Sequence, residues 1–508
     1  MRSDPVNRPQ ILGAVALVVC IGLVPGAALS GDPQPKRPSP ESGKAPPGTA
    51  DAASTSNAAA DSADPGGSPS DTSGLPDLGL GGLDDPPGTE DAAELSATSA
   101  RTKPRFSGFV QQETAYAYMT PGRLSTAVIR AQVGASGQIH SNLKWKANFR
   151  GEFDPVYAWS DFYPDVVRND QRLYGLIGET YIDTSVRGWD LRLGRQNIVW
   201  GEMVGLFFAD VVTAKDLRHF ILPSFDIIRI PQWAARGEYF FGNSHVELVW
   251  IPYTSFDRIG KPGSEFYPFP TAAPPGFTNQ FLDDQIPARS LANSNIGARV
   301  STLIQGWDLS TFFYRSMDSA ATFYREIVPT GPSTGILRYT PRHDRISQFG
   351  GTVSKDATDS VVFKAEAVFT SGRSFNVTRA TQPGGVIQKD TLDYALGIDV
   401  SLPDEARMNV QFFQRAYLAH DPDMIQERFE SGATFLYNTK VRQSLEAEVL
   451  WIQSLNRNES LVRPRLVWHP EPNLRVSAGL DIFTGPETGV IGRFASRDRI
   501  YVETRYSF

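Results

Sequence analysis

A chain of 508 residues is long enough for a large fold, yet all of its 56 aromatic residues (30 Phe, 17 Tyr and 9 Trp) fall after residue 100, so only 101–508 can build a core. Of the 49 basic and 56 acidic residues (net −7), residues 31–100 hold 3 and 12 (3 − 12 = −9), and 101–508 hold 44 and 43, or +1. That balance excludes a broad basic nucleic-acid surface, and the single cysteine, Cys20, excludes a disulfide framework.

Residues 1–30 read as an export signal. Arg2 and Arg8 precede an apolar run over 11–24, Pro25-Gly26 breaks it, and the small residues Ala28 and Ser30 suit cleavage before Gly31. The run is shorter than the about 20 residues a membrane helix needs. Residues 31–100 contain 11 Pro and 10 Gly, and an octet beginning Pro46-Pro47-Gly48 nearly recurs from Pro86. Such a tract has too little apolar surface to offset its ordering entropy, so a disordered, acidic periplasmic tether is expected.

From residue 106 the dominant period is two. Leu191 and Leu193 alternate with Arg192 and Gly194, and Phe363, Ala365, Ala367 and Phe369 with Lys364, Glu366 and Val368. The alternation is imperfect in two places: Phe413 falls on the polar side of its run, and the polar side gives out at Leu450 and Ile452. Candidate strands lie near 106–118, 124–134, 140–152, 172–184, 188–198, 232–242, 244–254, 294–305 and 307–319. More follow near 345–355, 360–370, 390–401, 405–418, 429–440, 444–455, 459–469, 474–483 and 497–508. Runs of about ten residues suit tilted membrane strands better than soluble ones. The expected fold class is all-β: a transmembrane antiparallel β-barrel of about 16–18 strands over 101–508, in the outer membrane of a Gram-negative bacterium. Long connections at 155–170, 257–293 and 371–389 would be external loops. Tyr116, Tyr118, Tyr174, Tyr181, Trp189, Trp200, Trp250, Tyr314, Trp451 and Tyr501 are candidates for its interfacial girdles.

The chain ends on Ile500, Val502, Thr504, Tyr506 and Phe508 at alternate positions. This is similar to the carboxy-terminal signal that outer-membrane barrels present to the barrel-assembly machinery, with Tyr506 and Phe508 as its aromatic residues.

The region 192–240 departs from the barrel pattern. It contains Gly194-Arg195-Gln196, then Trp200-Gly201-Glu202, then Asp216-Leu217-Arg218 before the next strand. In these motifs the sequence resembles a poorly characterised family of proteobacterial outer-membrane proteins, related in style to porins and alginate-export barrels. It departs from that family in its acidic leader and in Ala209-Asp210-Val211, where an Asn-Pro turn would stand. The resemblance implies a barrel, and beyond it a hydrophobic or lipid-like cargo and an inner-membrane or periplasmic exporter as partner.

Read from the residues themselves, 203–224 is a candidate inward-folded segment with Lys215, Asp216 and Arg218 exposed to the lumen. Arg195–Glu202 and Arg218–Asp226 are candidate pairs that would pin it to the wall. Arg195, Trp200, Glu202, Asp210, Lys215, Asp216, Arg218, Asp226 and Arg229 together form the candidate constriction, where charge would bias solute passage. A solvated lumen lining is the plainer reading of the same charges.

Nothing in the sequence recommends catalysis. The six histidines lack metal-ligand spacing, and Ser244 and His245, as strand neighbours, face opposite ways. Acidic pairs at Asp283-Asp284 and Asp421-Asp423 read as solvated loops, and no cofactor or metal is expected. The reading that results is a non-enzymatic channel passing a solute across the outer membrane. Its alternatives are a general porin for small polar solutes and a closed structural or adhesive barrel, with homo-oligomers open in each case.

Overall fold

The computed structural model describes residues 103–203, 208–269 and 273–508. The leader at 1–30 and the tether at 31–100 lie outside the described residues. Among those described, one sheet of nineteen strands closes on itself. The four-residue Arg123–Thr126 does not span; it pairs with the end of Arg105–Ala117, beyond the stretch where Ile129–His140 pairs with that strand. Eighteen spanning strands remain (19 − 1), each antiparallel to its neighbour. Arg105–Ala117 closes the ring against Arg499–Ser507, with Phe109 opposite Ser507 and Ala117 opposite Arg499.

The alternation of the sequence becomes the two faces of this wall. On Val361–Asn376, Phe363 and Ala367 point outward, while Glu366 and Val368 are buried toward the lumen. Outward residues such as Phe349 (60% exposed), Leu396 (54%) and Val133 (54%) form an apolar belt. A closed sheet leaves no unpaired backbone edge in lipid, and this belt supplies the apolar surface that lipid requires. The protein is a transmembrane β-barrel.

Both ends of the barrel chain lie at the rim of short turns. Trp189 follows Val186, Trp307 follows Ile304 and Leu445 follows Arg442 with two residues between strands. The opposite rim carries the long loops, which hold two short helices, Val156–Trp159 and Asp165–Gln171, and a separate three-stranded sheet of Phe277–Phe281, Thr322–Gly331 and Thr334–Arg342.

Three expectations need correction. The strands expected at 124–134 and 140–152 run instead over Ile129–His140 and Leu143–Phe153, because Arg123–Thr126 forms its own short pairing before the chain turns again. The connection expected over 371–389 is much shorter, since Val361–Asn376 and Val386–Ser401 run sixteen residues each. The stretch between Met317 and Arg345, given no strand from the sequence, folds as an external hairpin.

Candidate channel constriction

The wall strand Trp189–Gln196 stops at Gln196, and the chain returns to the wall only at Gln232. The Gly-Arg-Gln motif makes this departure. Gly194 has φ +135°, and a Cβ there would lie 2.3 Å from the Thr180 carbonyl oxygen. Gln196 is fully buried and donates from Nε2 to the Ala234 oxygen at 3.1 Å. Arg195 donates from Nε to the Pro231 oxygen at 3.2 Å and so closes the neck of the inward segment.

The first lobe of that segment runs along the inner wall. Trp200, 1% exposed, seats beside Phe312 and Tyr314, with ring centroids at 5.1 and 5.8 Å, and donates from Nε1 to Glu247 at 3.1 Å. Its seat depends on Gly297, where a Cβ would come within 2.7 Å of the indole. Gly201 sits 3.0 Å (from its ideal Cβ) from the Asp210 nitrogen and 3.3 Å from Glu366 Oε1, leaving little room for a side chain. Glu366 then accepts the backbone N–H groups of Glu202, Met203 (2.7 Å) and Ala209 (3.2 Å). Glu202 accepts from Thr352 at 2.8 Å and pairs with Arg299 at 3.5 Å. The lobe reaches the far wall, where Phe208 meets Phe413 at 5.9 Å.

The second lobe begins where Ala214–Lys215 pairs with Arg229–Ile230. Lys215 is buried; its backbone N–H donates to Asp257 at 2.8 Å and its ammonium to the oxygens of Asp210 and Thr213. Asp216 binds Arg218 at 2.7 Å, and Arg218 also approaches Glu152 at 3.5 Å and lies over the Tyr174 ring. Burial raises the Asp216 carboxyl, but Arg218 and Arg258 overcome it and hold the group well below the usual range. Asp210 and Arg229 join the two lobes at 3.3 Å. Three wall arginines then hold the lobe from below. Arg150 donates to the Asp226 and Ile227 oxygens, Arg463 to the Leu222 oxygen, and Arg505 pairs with Asp226 at 3.1 Å. Above it, Phe220 packs with Phe266, Phe483 and Phe494 from the wall and external loops. Phe220 has φ +57°, a conformation bulky residues rarely adopt, so packing holds it there.

Below the second lobe lies a cavity of about 70 Å³. Ile221, Leu222 and Phe225 of the lobe, with Leu436, Leu450 and Ile452 of the wall, form its apolar side. Arg463, Arg465, Arg499, Glu113, Glu448 and Glu503 form its charged side. Wall charge is unevenly spread. Lumen-facing positions of Arg105–Ala117, Ile129–His140 and Leu143–Phe153 carry Arg105, Arg130, Lys144, Lys146 and Arg150 against Glu113 and Glu152. Those of Ser460–Glu471, Leu474–Thr484 and Arg499–Ser507 carry Arg463, Arg465, Arg475, Arg499 and Arg505 against Asp481 and Glu503. These six adjacent strands therefore sum to 10 − 4 = +6.

The inward segment expected at 203–224 spans 197–231. All nine candidate residues belong to it or to its neck, but Trp200 is wall packing, and where lumen exposure was expected Asp216 and Arg218 are buried in an ion pair and Lys215 is buried against backbone oxygens. Neither expected pair forms: Arg195 bonds Pro231, Glu202 meets Arg299, Arg218 meets Asp216 and Asp226 meets Arg505. The partners missed from sequence are Glu366, Arg150, Arg463 and Arg505, which lie on strands remote in the chain. Of the girdle candidates, Tyr116, Tyr118, Trp250 and Trp451 face outward, whereas Tyr181, Trp200, Tyr314 and Tyr501 are buried. Ser244 bonds Thr302 and His245 stacks on Phe240, so they share no proton path. Asp421 and Asp423 hold Arg379, and Asp284 meets His343 at 3.1 Å.

No protein-family model and no curated protein matches this sequence. Among solved structures the chain is similar to Acinetobacter baumannii OccAB1, at 10% identity and TM-score 0.48, covering 80% of this chain and 96% of that one. It is also similar to Pseudomonas aeruginosa OccD3 (OpdP), at 9% identity and TM-score 0.47, covering 81% and 93%. A loop-deletion mutant of the Vibrio cholerae outer-membrane protein OmpT gives 9% identity and TM-score 0.38, covering 80% and 99%. The architecture described above rests on the strand pairing itself.

Proposed function

We propose that this barrel is a constricted outer-membrane channel that passes small polar solutes down their gradient. The observation that carries the reading is the space below the second lobe, one side of which is lined by paired charges and the other by apolar side chains. Charged groups held at fixed positions in a narrowed lumen select among solutes by charge and hydrogen bonding. Because the lobes are tied to the wall by many separate contacts, the pore they leave is small and fixed in shape.

A second reading, an amphiphilic or hydrophobic cargo, is favoured by one feature. Phe413, Leu436, Leu450, Ile452 and Phe483 are lumen-facing wall residues of an apolar kind that a plain water pore does not need. The inward lobes cover part of this surface, which is the ordinary explanation of it. An exporter partner would belong to this second reading alone.

Swelling of proteoliposomes in graded small polar solutes tests the first reading. Swelling that falls with solute size supports it. Absence of swelling from folded protein, together with uptake of an amphiphile such as a medium-chain fatty acid, would replace it with the second.

A further inference from the structure

On Trp307–Met317 the outward row runs Trp307, Leu309, Thr311, Phe313 and then Arg315. Residues paired across an antiparallel sheet share a face, so Arg315 stands in line with Ile296 and Trp250 on one side and with Ser347 and Ser371 on the other. From Trp307, at the short-turn rim, to Arg315 is about 26 Å along the strand, or about 20 Å along the membrane normal at the usual tilt. The apolar band of such a barrel is about 25 Å tall, so Arg315 stands at its long-loop edge, at the depth of lipid headgroups. Arg345 reaches the same place from the next strand. Its guanidinium donates to the Ser294 oxygen at 2.9 Å and to the Ala292 oxygen, and the like charge of Arg315 acts on it. Among the described residues no carboxylate pairs with either arginine, and Arg315 is exposed. Asp390, beyond Ser371 on the next strand, accepts the Gly372 N–H at 3.2 Å. Beside the arginines Leu291 (76% exposed), Ile296 and Phe313 present apolar surface.

A cation facing outward at this depth is costly against acyl chains and favourable against an anionic headgroup. We propose that Arg315 and Arg345 bind the phosphate of a lipid headgroup in the leaflet at the long-loop rim. A guanidinium carries five N–H donors in a planar fork that matches two phosphate oxygens at once. Those of Arg315 are unused, and Arg345 spends only two on the loop carbonyls. Ser347 and Ser371 add hydroxyl donors beside Arg315. Leu291, Ile296 and Phe313 lie where the acyl chains would run. Because Arg345 also holds residues 292 and 294, a lipid bound there ties that external loop to the membrane surface. The site faces lipid and not the lumen, so it goes beyond the channel reading and stands or falls without it.

The test is native mass spectrometry of the full chain in detergent, titrated with lipid A, a diphosphorylated glycolipid, with folding checked by gel mobility. One tightly held lipid per barrel is expected. Retention should weaken at least about tenfold in Arg315→Gln, and further in Arg315→Gln with Arg345→Gln, since charged hydrogen bonds are lost. Arg315→Gln alone leaves the loop contacts of Arg345 in place, which separates lost binding from a disturbed loop. Lys355→Gln removes an outward cation paired with Trp307 at the opposite rim and should bind as the unmodified protein does. Undiminished retention in Arg315→Gln, or an equal loss in Lys355→Gln, would overturn the proposal. So would equal retention of the dephosphorylated lipid. Full displacement by inorganic phosphate would also overturn it, by making the site one for a free anion.

Discussion

Met203, in the inward segment, donates its backbone N–H to the carboxylate of Glu366 on the barrel wall at 2.7 Å, across 163 residues of sequence. The same carboxylate takes the amides of Glu202 and Ala209, so one wall residue closes the first lobe on itself. Hydrogen bonds to a charged acceptor contribute about 1.5–3 kcal/mol each. Glu366→Gln keeps the shape but turns a donor toward these amides, and a local loss of about 3 kcal/mol is expected. Single-channel recordings should show severalfold more current noise with little change in the barrel's thermal stability. Quiet currents identical to the unmodified protein would show that the lobe is held elsewhere.

Trp200 and Gly297 give a second handle on the same lobe. A Cβ at Gly297 would meet the indole at 2.7 Å and Tyr314 at 2.8 Å, so Gly297→Val must displace Trp200 or distort the strand. Trp200→Ala empties the seat instead, at a cost of about 3–5 kcal/mol for a buried tryptophan. Both changes should expose the first lobe to added protease while the barrel stays heat-modifiable on gels. Resistance equal to that of the unmodified protein in both variants would contradict the role given to the seat.

Two groups off the membrane strands make the inward segment respond to pH in opposite senses. Desolvation lowers His219 to about 4, so the folded form holds it neutral; stability is intact above its ordinary value near 6.5 and is lost as pH falls toward 4. Desolvation raises Asp257 to about 6 despite Lys215, so its charge is a penalty above pH 6 that is relieved as pH falls toward 4. Partial exposure reduces each effect to roughly 1–2 kcal/mol. His219→Asn should slow hydrogen exchange over 215–222 relative to the unmodified protein at pH 5 but not at pH 7.5. Asp257→Asn should slow it at pH 7.5 and progressively less as pH falls toward 4. The reverse pattern would mean that these sites are hydrated.

The wall was legible in the sequence because lipid on one face and a lumen on the other impose a period of two, and strand after strand obeys it. The irregularities carried information as well. Phe413, Leu450 and Ile452 break the polar side of their strands where the inward lobes press on them. The motif at 194–202 marked the point of departure, since Gly194 and Gly201 sit where a side chain would crowd. What could not be read was which charges meet. Arg218 lies two residues from Asp216 and eight from Asp226, and only the path of the loop across the lumen decides between them. The external hairpin within 318–344 escaped notice because a sheet outside the membrane needs no lipid-facing stripe.

Phe508 closes the seam, exchanging backbone hydrogen bonds with Gly108 at 2.8 and 2.9 Å while its ring stays half exposed. If its aromatic side chain also serves as the assembly signal, Phe508→Ala should lower the yield of folded barrel in outer membranes severalfold. The fraction that does fold should melt close to the unmodified protein, since the backbone pairing survives. Normal yield would assign the aromatic residue to seam packing only.

The central claim is that the lobes at 197–231 set the width of an open pore. Its most direct test is single-channel conductance in planar bilayers, comparing the full chain with one in which 203–224 is replaced by a short Gly-Ser linker and which is confirmed as folded by gel mobility. The expected result is a small, steady conductance that rises severalfold on excision, because the remaining wall encloses a wide eighteen-stranded lumen. Equal conductance before and after excision would contradict it, and would place the barrier to passage in the external loops instead.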